Sequence, residues 1–169
     1  MKTFNIFNFM TVSETNTITS VHHQFMKLAL IEAQKAFQAD EVPVGAVLID
    51  QGQNILSAAY NQTISKHDPT AHAEISALRK AGQKIQNYRF VNSTLYVTVE
   101  PCIMCMGAII HSRIGHVVFG APDPKWGAAG SLYAFQQDMR LNHHPRITEG
   151  IYKNQCKQLM VDFFKKKRL

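Results

Sequence analysis

Residues 67–75 read His-Asp-Pro-Thr-Ala-His-Ala-Glu-Ile, and residues 94–105 read Thr-Leu-Tyr-Val-Thr-Val-Glu-Pro-Cys-Ile-Met-Cys. In both segments the residues able to do chemistry fall at the start of a helix. Asp68-Pro69 suits a helix start, Asp as N-cap and Pro at the first helical position. His72 and Glu74 then lie in the early turns of a helix ending near Gly82. Thr94 to Val99 is β-branched and aromatic, the composition of a strand. Pro101 follows at once and opens a second helix through about Ile110, with Cys102 and Cys105 early in it.

The rest of the chain alternates in the same way. From His22 to Ala39, Phe25, Leu28, Ala29, Ala33, Ala36 and Phe37 recur at three- and four-residue steps, an amphipathic helix. Val42 to Ile49 reads as a strand, Gln51-Gly52 as a turn, and Ile55 to Tyr60 as the second arm of a hairpin. Ile114 to Phe119 is another strand, and the residues after Gly150 form a last helix with Tyr152, Cys156, Leu159, Met160, Phe163 and Phe164 on one side. Strands alternating with helices predict a layered α/β fold. Strand order does not follow from the pattern.

Cys102 and Cys105 are three apart, which on a helix puts both sulfurs on one face, close enough to share a metal. A Cys-x-x-Cys pair alone is ambiguous between redox and metal chemistry, and His72 supplies a third ligand of the right type. Two thiolates and a neutral imidazole balance the two charges of a zinc ion. Structural zinc is closed by four protein ligands, whereas catalytic zinc keeps three and leaves the fourth position to water. A nearby metal lowers the pKa of that water toward 7, so hydroxide becomes available at neutral pH. Helix N-termini add to this by favouring thiolate over thiol. Glu74 lies two residues from His72 and points elsewhere on an ideal helix. It is a poor co-ligand but is placed to take a proton from the water and return it to a leaving amine. Taken singly, His72 could be a half-buried histidine, Glu74 a solvated helix residue and the cysteines small core residues.

Residues 1–19 are rich in Asn, Thr and Ser without a sustained period and are expected to form a poorly ordered leader, with one domain over residues 20–169. The apolar runs are broken well before the roughly 20 residues needed to cross a bilayer, and no secretory signal is legible. This places the protein in the cytoplasm, where thiols stay reduced and three cysteines favour a metal over a disulfide. Eighteen Lys plus Arg against twelve Asp plus Glu give a net charge of +6, which would attract a polyanion. Charge alone does not separate an RNA partner from none.

The pattern His-x-Glu followed by Pro-Cys-x-x-Cys is the signature of zinc nucleobase deaminases. Together with EVPVGAVL at 41–48, HDPTAHAEI at 67–75, the run from Asn87 to Ala121 and GAAGSL at 127–132, it resembles the bacterial tRNA-specific adenosine deaminases. The resemblance runs from about residue 22 to the C-terminus. It implies a cytidine-deaminase-like α/β/α sandwich around a mixed five-stranded sheet and a homodimer. It also implies conversion of adenosine to inosine at the wobble position of a tRNA anticodon stem-loop, with neither DNA nor membrane as partner. By that resemblance His72, Cys102 and Cys105 match the Zn2+ ligands, one ion per subunit, and Glu74 matches the proton shuttle. Asn61 falls where the family contacts the flipped base, and Asp123 and Lys125 in the loop that meets the anticodon. Phe164 falls where the final helix closes on substrate. Lys165, Lys166, Lys167 and Arg168 could hold phosphates, or could be a solvated helix end. Pro122, Pro124 and Trp126 depart from the family pattern, and Gln51-Gly52-Gln53 suggests one added residue in the hairpin. Two other readings use the same residues. One is a zinc deaminase of a free base or nucleoside such as cytosine or guanine. The other is a structural zinc site in an RNA-binding module, closed by His67 or His111.

Overall fold

The structure, a computed structural model, describes residues 12–168. Of the leader expected over residues 1–19, residues 1–11 lie outside the described residues, and Val12 opens the first helix. Among the described residues the order is α1 (Val12–Gln38), β1 (Gly45–Ile49), β2 (Ile55–Tyr60), α2 (Ala73–Ile85), β3 (Thr94–Val99), α3 (Ile103–His111), β4 (His116–Ala121), β5 (Arg146–Glu149) and α4 (Lys153–Lys166). The five strands form one sheet in the order β2-β1-β3-β4-β5. β1 runs antiparallel to β2 and β3, while β3, β4 and β5 are parallel, so the sheet is mixed as expected. The hairpin register shifts between Leu48 and Ile49, which face Ser57 and Ile55.

Alternate side chains of each strand enter opposite cores, which is why the central strands read as unbroken apolar runs. Ala46, Leu48, Leu95, Val97, Val117 and Phe119 pack against Ala73, Ala77, Leu78, Met106 and Ile109 of α2 and α3. Val47, Ile49, Tyr96 and Val118 face Phe25, Met26 and Ala29 of α1 and Cys156 of α4. Two helices on each face of one sheet give the three-layer α/β/α sandwich. α1 approaches so closely that a Cβ at Gly45 would lie 2.1 Å from the Ala29 carbonyl oxygen. The edge strand β5 is short and half-exposed, and local pattern did not disclose it.

The two helix starts differ in how well sequence placed them. α3 begins two residues beyond Pro101, as expected. α2 begins at Ala73, not after Asp68. The Asp68 carboxylate instead accepts the backbone N–H of Thr70 at 2.8 Å and its hydroxyl at 2.6 Å, forming a local turn and delaying the helix by one turn.

Candidate metal centre and cavity

His72 and Cys102 are themselves the N-cap residues of α2 and α3, both extended, with ψ 157° and 175°. Neither side chain caps its helix, although capping is the usual use of that position. Each is therefore free to point outward into the gap between the helix starts, at the carboxyl ends of the central strands, where α/β sheets ordinarily place ligands. His72 Nδ1 lies 3.7 Å from Cys102 Sγ and 3.6 Å from Cys105 Sγ. Zinc bonds of about 2.3 Å to sulfur and about 2.0–2.1 Å to nitrogen, at a tetrahedral angle, require a nitrogen–sulfur edge of roughly 3.6 Å. The three donors are spaced to fit such an ion. Among the described residues no other His, Cys, Asp or Glu joins this group, so neither His67 nor His111 closes it.

The electrostatics of the donors agree with their spacing. The Cys105 thiol beside it brings Cys102 down to about 4, with a further contribution from His72. Cys105 is itself pushed well up, first by its contact with Cys102 and then by burial. A cation held between the two sulfurs would favour the thiolate form of both. His72 is raised, first by its contact with Cys102.

Glu74 is 3 % exposed, and its Oε2 has no hydrogen-bond partner. Burial raises it to about 7, enough to hold or release a proton near neutrality. Buried carboxylate oxygens are rarely left without a partner, and those that are tend to serve a function. Both His72 and Glu74 open onto a cavity of about 610 Å³ walled by Val42, Val44, Val99 and Ile103, with Asn61, Thr63, Asp123, Trp126 and Met160 also at its lining.

Of the residues assigned to substrate contact, Asn61 and Asp123 line this cavity; Lys125 and Phe164 do not. Asn61 is buried and its Oδ1 accepts the backbone N–H of Ala73 at 2.8 Å. Asp123 Oδ1 accepts the backbone N–H of Lys125 and of Trp126, at 3.0 and 3.3 Å. Lys125 is exposed. Phe164 is 44 % exposed and meets Phe163 edge-on, while Met160 represents α4 at the cavity. Of the basic C-terminal residues, Lys166 and Lys167 are drawn to Asp40.

Two buried carboxylates that sequence reading passed over shape the walls. Glu41 accepts the backbone N–H of Ile64 at 3.1 Å and of Ser65 at 2.7 Å, fixing the loop after β2. Burial would raise Glu41, but those N–H groups outweigh it and the carboxyl is lowered. Glu100 accepts the backbone N–H groups of Asp123, Ala129 and Ser131, at 3.0, 3.0 and 2.9 Å, and the Ser131 hydroxyl. It gathers the loop after β4 beneath the cavity. A Cβ on Gly127 would lie 2.4 Å from the Glu100 carboxylate, so that position must be glycine. The place of Glu100 between a strand and the Pro-Cys-x-x-Cys run was the available signal.

The cytidine and deoxycytidylate deaminase zinc-binding region matches residues 19–121, more than half of the chain. A tRNA-specific adenosine deaminase of Haemophilus influenzae is 52 % identical over 145 residues, covering 86 % of this chain and 84 % of the relative. A solved structure of a tRNA:A34 deaminase acting at the wobble position is 39 % identical with a TM-score of 0.78, covering 80 % of this chain and 98 % of that one. A guanine deaminase from Nitrosomonas europaea, at 20 % identity and a TM-score of 0.73 over 83 % of each chain, shares the fold. By its signature, its fold and these relatives, the chain belongs to the cytidine and deoxycytidylate deaminase zinc-binding family, among the tRNA-specific adenosine deaminases.

Proposed function

We infer that this chain hydrolyses adenosine to inosine, with release of ammonia, at the wobble position of a tRNA anticodon. The observation that carries the reading is the coincidence of the three-donor triangle of His72, Cys102 and Cys105, of which His72 and Cys102 line the cavity, with the unpartnered Glu74 Oε2 at the same cavity. His72, Cys102 and Cys105 would hold one Zn2+ per subunit. The ion supplies a water acidified toward neutral pH and the positive charge that steadies the transition state.

The chain's own residues do the rest. The adenine leaves its stack to reach the cavity, since its reacting carbon is inaccessible within a helix. Val42, Val44, Val99 and Ile103 exclude bulk water around it. Glu74 takes one proton from the attacking water and delivers it to ring nitrogen 1, so that carbon 6 accepts the new C–O bond. It then carries the second proton to the exocyclic nitrogen, the C–N bond breaks, and ammonia departs. A carboxyl near 7 suits both transfers. Asn61 and Asp123 face the base from the lining. The net charge of +6 favours a polyanionic substrate, with an affinity that falls as salt rises. The protein works in the cytoplasm as a homodimer, a state that light scattering reads directly; a mass near 19.1 kDa would contradict it.

The deciding experiment incubates zinc-loaded protein with total tRNA and sequences for inosine, beside an assay of ammonia release from free adenosine, cytosine and guanine. Inosine at position 34 supports the reading. Ammonia from a free base without inosine in tRNA overturns it.

A further inference from the structure

We propose that Trp126 is a stacking platform for the base that neighbours the target adenosine, and so a determinant of preference for polymeric over free substrate. The proposal rests on the nucleic-acid reading above. Trp126 is the only tryptophan of the chain and is 63 % exposed, yet it belongs to the lining of the cavity that holds His72, Glu74 and Cys102. Leaving an indole in water forgoes the stabilisation that burial would bring, and a large aromatic surface kept at the mouth of a cavity is available to a ligand.

Its mounting is rigid. Pro124 restricts the backbone two residues before it. Asp123 Oδ1 accepts the Trp126 N–H at 3.3 Å, and the Asp123 carbonyl accepts the Gly127 N–H at 2.8 Å. Glu100 anchors Asp123 from below, and Gly127 forms an isolated antiparallel bridge with Cys102. The indole is thus tied through its neighbour to a residue of the metal centre, while its ring stays uncovered. Lys125, which precedes it in the chain, is exposed as well.

The chemistry of the substrate supplies the partner. A base that leaves its strand to enter a cavity of about 610 Å³ deprives each neighbour of a stacking face, and those neighbours stay at the mouth. An aromatic ring there restores one face, whatever the base, because every base has a π surface. A free base or nucleoside has no neighbour to gain from it.

The sole tryptophan is its own probe. Titration of the zinc-loaded protein with an anticodon stem-loop RNA should quench its fluorescence saturably, and an abasic nucleotide on one flank of the target adenosine should remove most of that quenching. Trp126→Ala should lower kcat/KM for the stem-loop about 10- to 100-fold, and Trp126→Phe should retain most of it, with zinc content unchanged in both. On the RNA abasic at that flank the penalty of Trp126→Ala should shrink to within threefold. Trp126→Ala within threefold of wild type on the intact stem-loop overturns the stacking role. So does a penalty that survives abasic substitution at both flanks, which would place the indole on the target base itself. Failure of the wild type to form inosine would defeat the underlying reading, whereas inosine formation indifferent to Trp126 would defeat only the stacking proposal.

Discussion

Asn61 Oδ1 accepts the backbone N–H of Ala73 at 2.8 Å, and so performs from the end of β2 the capping that His72 does not give its own helix. A ligand at an N-cap position leaves an orphan donor in the first turn, and the buried amide meets it. Asn61→Ala should therefore lower stability by about 1 kcal/mol, or roughly 2–4 °C in Tm for a chain of this size. Because it also loosens the start of α2, it should weaken metal retention in a chelator competition. Unchanged Tm would leave Asn61 with a substrate role alone.

Glu74→Gln should keep the fold and the zinc, since Glu74 stands outside the three-donor group. Activity should collapse. Loss of a positioned acid/base group reduces rate by about 10² to 10⁴, and here one carboxylate serves successive transfers. Single-turnover inosine formation, read beside elemental analysis, checks this. Zinc lost together with activity would make Glu74 a ligand.

The two kinds of cysteine should separate cleanly. Cys102→Ala should release zinc, because the remaining two donors cannot balance the ion's charge or complete its geometry. Cys156 is buried on α4 against Gly120, with its thiol pushed up to about 12 by burial, and faces the opposite core. Cys156→Ser should retain zinc and activity, losing only stability.

Glu100→Ala should unfasten the loop from Asp123 to Ser131. Three backbone N–H groups would lose their acceptor, at about 1–3 kcal/mol for each one left without another partner. Hydrogen exchange at the amides of Asp123, Ala129 and Ser131 should accelerate ahead of that in β3. Exchange unchanged at those three amides would show that other contacts hold the loop.

Acid should destabilise the fold through His116. Its Nδ1 accepts from the Arg146 guanidinium at 3.0 Å and its Nε2 meets Thr148 Oγ1 at 2.9 Å, so the ring is held neutral. Burial, then Arg146 and His22, bring it down to about 4. The unfolded chain binds that proton below about 6.5, so the stabilisation is complete above that pH and is lost as pH falls toward 4. By pH 5 the loss should be about 2 kcal/mol in urea unfolding. His116→Gln should flatten this dependence; an equal slope would assign it to other groups.

The sequence determined most of the elements, β5 and the start of α2 excepted, and the set of residues able to hold a metal. The strands Ile55–Tyr60 and Thr94–Val99 were legible to the residue, the first as the return arm of a hairpin after Gln51-Gly52 and the second as a β-branched and aromatic run buried on both faces. The donor set His72, Cys102 and Cys105 was legible because its residue types and spacing are chemically specific. Tertiary structure decided what depends on neighbours distant in the chain. It placed the start of α2 at Ala73, because Asp68 found a nearer partner in Thr70 and Asn61 supplied the missing cap. It gave Glu41 and Glu100 their roles, which no local pattern encodes, since a buried acid is recognised only by the N–H groups that distant loops bring to it. It also put Trp126 and Met160 at the cavity, whose lining does not include Lys125 or Phe164. Which side chain of a loop or helix reaches a cavity is set by how that segment is anchored, here by Glu100 beneath the loop and by Cys156 and Phe163 beneath α4.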